Sequence, residues 1–288
     1  MTRARTFLTT FVMTAVLVGL AVQSGATLIA PHALFIDHRV RSGAIFLHNP
    51  EDKPVEISVE LIYGYPRPDG SGGVHVFLEP EPATSEPSCA DWVRALPRRV
   101  VLMPGQRQTI RLMAQPPSDL PDGEYWSRVV ISSKAAQRPT EGEAVEGVEG
   151  VRVGLSLATR TIISLNYRKG PVSTGVELGE LTATPNRDEI SVAMDLKRLG
   201  DAAWLGQVDA VLLDAEGDEV ARWDQLLAVY EDQVRTMRFP LRRRQPAGNY
   251  LLSLTLSTER KDLTSDEILP AGTVVRAVPV VIGPARGR

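Results

Sequence analysis

Residues 54–65 read Pro-Val-Glu-Ile-Ser-Val-Glu-Leu-Ile-Tyr-Gly-Tyr, and this stretch decides the fold class. Val55, Ile57, Val59 and Leu61 occupy alternate positions, with Glu56, Ser58 and Glu60 between them. A period of two places the apolar set on one side of an extended chain, which is the pattern of a half-buried strand. The same grammar continues outward in both directions. Residues 28–36 and 43–48 precede it, both rich in branched apolar side chains. After it come 99–103, ending in the turn dipeptide Pro104-Gly105, then 109–113. Residues 124–132 follow the Asp122-Gly123 turn, and 151–167 form one long β-prone run.

Gly170-Pro171 breaks the strand run and marks the expected domain boundary. Beyond it, residues 176–184, 189–196, 204–213, 220–229, 233–239, 250–257 and 273–282 read as further strands. Pro185-Asn186-Arg187-Asp188 and Pro246-Ala247-Gly248-Asn249 supply turns between them. Residues 214–218, Asp-Ala-Glu-Gly-Asp, read as a hairpin connection with Gly217 where a positive φ is needed. Residues 67–73, 79–87 and 135–150 are turn-rich or acidic and read as loops. Ala90-Asp91-Trp92-Val93-Arg94 suits a short helical turn, but no long stretch has helical periodicity. Short strands at regular turn spacing predict an all-β protein of two immunoglobulin-like β-sandwich domains in tandem, at residues 27–169 and 170–288.

The chain of 288 residues is long enough for two such cores. Its net charge of −3 and its lack of a concentrated basic face argue against nucleic acid as a partner. Arg3 and Arg5 followed by the apolar residues 7–22 and by Ser24-Gly25-Ala26 form a secretory signal pattern. Cleavage is expected after Ala26, with Ala21 as the second candidate point. The rival reading is a retained anchor, yet the apolar run of about 16 residues falls short of the roughly 20 that span a bilayer. The expectation is an exported protein with no stable membrane span after cleavage. Cys89 is the only cysteine, so it has no internal disulfide partner. Its surroundings, Ser85 to Ser88, read as loop, and the thiol is expected to be free, partly exposed and without a role.

Catalytic patterns are missing from the sequence. His32, His38, His48 and His75 have no metal-ligand spacing, and no nucleophile elbow or phosphate loop occurs. Asp37, His38 and Ser42 do not make a triad, because strand neighbours point to opposite faces. Glu141, Glu143, Glu146 and Glu149 read as a solvated acidic loop rather than a calcium cage. Arg242-Arg243-Arg244 is too short a run to dominate a surface. Neither a cofactor, a metal nor enzymatic activity is expected.

Several pieces, in order, resemble the N-terminal domain of the PapD-like periplasmic pilus-assembly chaperones. They are Pro31 with Phe35-Ile36-Asp37; Ala44-Ile45-Phe46-Leu47-His48-Asn49 before Lys53-Pro54-Val55; and Trp92. Residues 97–106 with their Pro104-Gly105 turn, Thr109-Ile110-Arg111-Leu112, Asp122-Gly123-Glu124-Tyr125-Trp126 and Ile162-Ile163-Ser164-Leu165-Asn166-Tyr167-Arg168 complete the set. The resemblance spans roughly residues 27–169 and leaves the second domain unmatched. It implies a periplasmic chaperone that donates a β-strand to an incomplete subunit of a pilus-like or surface assembly, with an outer-membrane usher as a further partner. The matching donor strand carries Val151, Val153, Leu155 and Leu157 in one alternating row, with Arg152, Gly154, Ser156 and Ala158 between. The same row fits equally a face turned into the chain's own core, because alternation does not say which face is buried.

The resemblance also implies two basic residues that anchor the subunit's terminal carboxylate in the interdomain cleft. At the matching places this chain has Pro31-His32-Ala33-Leu34, without Arg or Lys, and Ser164. Arg160 and Arg39 are the candidate substitutes, and Arg168 matches a family arginine that supports domain geometry. The alternative reading is a non-catalytic structural or adhesive module of an envelope or surface-fibre assembly, since a fold does not fix a function.

Overall fold

The computed structural model describes residues 27–136, 158–186, 188–241 and 245–283. Residues 1–26, Val151, Val153, Leu155, Leu157, the loop glutamates 141–149 and Arg242-Arg243-Arg244 lie outside the described residues. Every regular element among the described residues is a strand, and the strands form two immunoglobulin-like β-sandwiches in tandem.

The first sandwich comprises β1 (Leu28–Ala30), β2 (Ala33–Asp37), β3 (Ser42–His48), β4 (Val55–Pro68), β5 (Val74–Glu79), β6 (Val93–Leu96), β7 (Arg99–Leu102), β8 (Arg107–Ala114), β9 (Gly123–Ala135) and β10 (Ala158–Lys169). One sheet runs β1-β3-β8-β6 and the other β2-β10-β9-β4, with β5 and β7 both on the far side of β4. Residues 28–36 are therefore not one strand but two in different sheets. Pro31 has no N–H to give a ladder and separates them. Val55, Ile57 and Val59 point into the core with Ile45, Ile110, Leu112 and Ile131. β4 runs past its expected end at Tyr65 as far as Pro68, where it pairs with β5. The tip of this hairpin is held by Asp69, whose Oδ1 accepts from the Ser71 and Gly73 amides at 2.8 and 2.9 Å.

The second sandwich comprises β11 (Thr174–Pro185), β12 (Glu189–Gly200), β13 (Trp204–Leu213), β14 (Glu219–Val229), β15 (Gln233–Pro240), β16 (Gly248–Ser257) and β17 (Val274–Ile282). Its sheets run β11-β12-β15 and β14-β13-β16-β17, packed about Trp204, Phe239, Met194 and Leu254. In β13 every second residue from Trp204 to Leu212 is buried, which is the burial that its alternating sequence demands. Gly217 in the β13–β14 hairpin has φ 90°, a conformation that a side chain resists.

Cys89 corrects the sequence reading. It is wholly buried rather than partly exposed, and its Sγ lies 3.2 Å from Ser127 Oγ. Burial pushes the thiol up to about 12, so it carries no thiolate at neutral pH. The helical turn expected at 90–94 shrinks to one bond, from the Val93 amide to the Cys89 carbonyl at 3.1 Å, before β6 begins.

Candidate functional site

β9 and β10 set the site, because both of their faces are used. In β10, Ile163, Leu165 and Tyr167 enter the first core, so Ser164, Asn166 and Arg168 turn the other way. In β9, Val129 and Ile131 enter that core while Trp126 and Arg128 face the second sandwich. The two outward rows lie side by side, with Ser164 opposite Arg128 and Asn166 opposite Trp126.

At one end of this face the sandwiches close on Glu124. Its side chain is fully buried and its Oε1 accepts from Trp126 Nε1 at 2.8 Å, Asn166 Nδ2 at 3.0 Å and the Ala203 amide at 3.1 Å. Its Oε2 pairs with Arg168 Nε at 2.8 Å. Arg168 Nη1 reaches on to the Glu267 carbonyl of the second sandwich at 2.7 Å. Tyr65, Trp126 and Tyr230 pack beside this hub, Tyr65 and Tyr230 stacked at 5.6 Å between ring centres. The β4–β5 hairpin extends the joint. Arg67 Nε pairs with Glu231 at 2.8 Å, and Arg235 and Arg238 donate to the Gly73 and Ser71 carbonyls at 2.8 and 2.6 Å.

At the other end the same face opens into a cleft of about 510 Å³ between the sandwiches. His32, Ile162, Ser164 and Arg128 line one wall, and Leu205, Tyr230 and the Arg260–Glu267 segment line the other. Ser164 Oγ donates to Asn166 Oδ1 at 2.9 Å. Arg128 is 4% exposed, its guanidinium carbon 5.0 Å from the centre of the Tyr230 ring, and its Nε and Nη2 have no hydrogen-bond partner among the described residues.

β10 has a second property. Along its whole length it pairs with β9, but on its other edge β2 covers only residues 164–168, running parallel. Among the described residues no strand pairs that edge of residues 158–163. The backbone groups there form an open edge, which is a template for another strand. Beside it lies a groove of about 750 Å³ between the two sheets, lined by Leu28, Ile29, Phe46, Leu47 and Thr161. Leu28 and Phe46 are 59% and 58% exposed, so the groove presents apolar surface to the outside.

The sequence-predicted residues separate accordingly. Arg168 sits at the joint. His32 and Ser164, at the two places where the resemblance implies bases, do line the cleft. Arg160 is exposed on the open half of β10, outside the cleft lining, and Arg39 is an exposed partner of Asp37 at 3.1 Å. Arg128 was not singled out from the sequence. Its signal is nonetheless there: Tyr125-Trp126-Ser127-Arg128-Val129-Val130-Ile131 places one guanidinium in a run apolar on both faces.

No family model matches the chain, and no curated protein matches it. Among solved structures it is similar to the YadV chaperone, at 14% identity and a TM-score of 0.44 over 88% of this chain and 99% of that one. It is similar to the CsuC–CsuE chaperone–tip adhesion subunit pre-assembly complex from archaic chaperone-usher Csu pili of Acinetobacter baumannii, at 12% identity and 0.43, covering 88% and 98%. It is also similar to SafA pilin in complex with the SafB chaperone from Salmonella enterica, at 12% identity and 0.43, covering 91% and 99%. At these identities and scores the likeness carries no functional inference, and the chain's own geometry has to supply one.

Proposed function

We propose that this chain is an exported, non-enzymatic chaperone that holds an incomplete β-rich protein subunit by strand pairing at the edge of β10. In this reading residues 1–26 are removed on export to the periplasm, residues 27–169 form the capture domain, and residues 170–288 form the second domain. The carrying observation is the open edge at residues 158–163 beside an exposed apolar groove. An added strand makes backbone hydrogen bonds for affinity and sets alternate side chains into the groove for selectivity. Val151, Val153, Leu155 and Leu157 continue the sequence of β10 and extend this donor surface in the proposal. A pilus-like or surface-assembly subunit is the proposed partner, with an outer-membrane usher as the acceptor of the complex.

The test is capture from periplasmic extract by the wild type beside a Leu155→Asp/Leu157→Asp double variant. The proposal expects the wild type to retain a β-rich subunit that the folded double variant releases. Equal capture by both, or none by either, sinks it.

A further inference from the structure

The outer face of the β1-β3-β8-β6 sheet carries charge of one sign. Ile110, Leu112 and Ala114 of β8 enter the core, as do Val93 and Ala95 of β6. Arg107, Arg111 and Met113 of β8 and Arg94 and Leu96 of β6 therefore turn outward. The three arginines are exposed, and among the described residues none of them makes an ion pair. The four strands of this sheet hold no Asp or Glu. The opposite sheet of the same sandwich is built differently, with Glu56 of β4 paired to Lys134 of β9 at 3.2 Å. A solvated surface normally intersperses both signs. The chain as a whole is acidic, at −3, so the basic face is a local exception and not a consequence of composition.

Apolar side chains share the face with the arginines. Leu96 and Met113 are 53% and 41% exposed, and Phe46 of β3 is 58% exposed. The register sets Leu96 opposite Arg111 and Arg94 opposite Met113, so the two kinds alternate across the strands. A protein-binding patch normally gathers its apolar residues at the centre and leaves the polar ones at the rim. Interleaving on a flat sheet suits instead a surface that offers phosphate and hydrocarbon side by side. Guanidinium groups match phosphate oxygens with two parallel bonds. We propose that this sheet face docks on an anionic phospholipid membrane surface. Its arginines sit on headgroup phosphates, and Leu96, Met113 and Phe46 enter the boundary of the acyl chains. The docking does not rest on strand capture, because β6 lies at the end of the sheet away from β1 and the groove beside β10.

The test is sedimentation of the protein, purified from its own cells, with vesicles of phosphatidylcholine alone and of phosphatidylcholine mixed with phosphatidylglycerol. Polyglutamate in solution is the probe for an acidic protein partner. Phe46 and Arg107 also line the groove beside β10, so the variants leave both in place. The wild type is expected to bind the phosphatidylglycerol vesicles and not the neutral ones, and to be released by salt. Arg94→Gln/Arg111→Gln is expected to weaken binding roughly 30-fold, from the contribution of a basic residue near an anionic surface. Leu96→Ser/Met113→Ser is expected to weaken it about 10-fold, through lost apolar burial. Arg222→Gln/Arg276→Gln removes the same charge from exposed sites on the second sandwich and is expected to bind as the wild type does. No binding to phosphatidylglycerol vesicles, equal binding to both kinds, or equal weakening by the Arg222/Arg276 pair overturns the proposal. Polyglutamate bound as tightly as the vesicles, with Leu96→Ser/Met113→Ser without effect, makes the face a dock for an acidic protein and overturns the assignment to lipid.

Discussion

The face between the two sandwiches has two ends built from the same pair of strands, and they treat an arginine in opposite ways. At the closed end Arg168 meets the Glu124 carboxylate and a backbone carbonyl of the other sandwich. At the open end Arg128 meets an aromatic ring, and among the described residues nothing accepts from its Nε and Nη2. A satisfied buried pair specifies geometry, whereas an unsatisfied buried charge is stored cost that a partner can relieve. The contrast separates the part of the interface whose polar groups are paired across the sandwiches from the part whose guanidinium is unpaired among the described residues.

The strongest way to break this contrast is at Glu124. Replacing it with alanine strands Trp126 Nε1, Asn166 Nδ2, the Ala203 amide and Arg168 together. The expected loss is about 3–5 kcal/mol in urea unfolding, the range for breaking a buried ion pair from one side. A loss under about 1 kcal/mol would mean that the hub does not hold the joint.

An intermediate effect comes from pH. Tyr63 donates to Glu86 at 2.6 Å and Tyr65 to Glu231 at 2.7 Å. Burial, then the bonded carboxylate, raises Tyr65 to about 12 and raises Tyr63 as well. An unfolded tyrosine gives up its proton near pH 10. The unfolded state therefore binds fewer protons above about pH 10, and stability falls as pH climbs from 10 through the folded value of Tyr65. Chemical denaturation across that window reads the slope, and Tyr65→Phe is expected to flatten it. An unchanged slope in the variant places the alkaline loss elsewhere.

The smallest effect, and the one of opposite sign, belongs to Arg128. With no ion pair to lose among the described residues, Arg128→Met is expected to leave the melting temperature unchanged or raise it, since it removes a buried unpaired charge. A clear drop would show that Arg128 supports the fold, and the two ends of the face would then be alike.

The strands were legible because the core faces obey a period of two. Residues 204–213 and 189–196 show it cleanly, and the Asp-Ala-Glu-Gly-Asp hairpin places its glycine where a positive φ is required. What the alternation hides is anything that depends on a third dimension. Residues 28–36 look continuous, but Pro31 sends the chain from one sheet to the other. Residues 74–79 were missed as a strand. β5 pairs only the distal half of β4, and its Val74 and Val76 remain exposed at 47% and 40%, so it lacks a buried row to betray it. Cys89 sits in a loop by sequence yet is sealed by Ser127 and the core beneath it. Within the candidate site, His32, Ser164 and Arg168 could be found by order along the chain. Arg128 could not be ranked, because only the packing of the second sandwich shows that its donors go unmet.

The most direct test of the account is hydrogen exchange at residues 158–163, measured on the free chain and on the chain bound to a subunit captured from its own periplasm. The account predicts that the edge-facing amides of this stretch exchange quickly when free and become protected in the complex, while residues 164–168, already covered by β2, change little. Protection unchanged across 158–163 on binding would contradict strand capture at this edge.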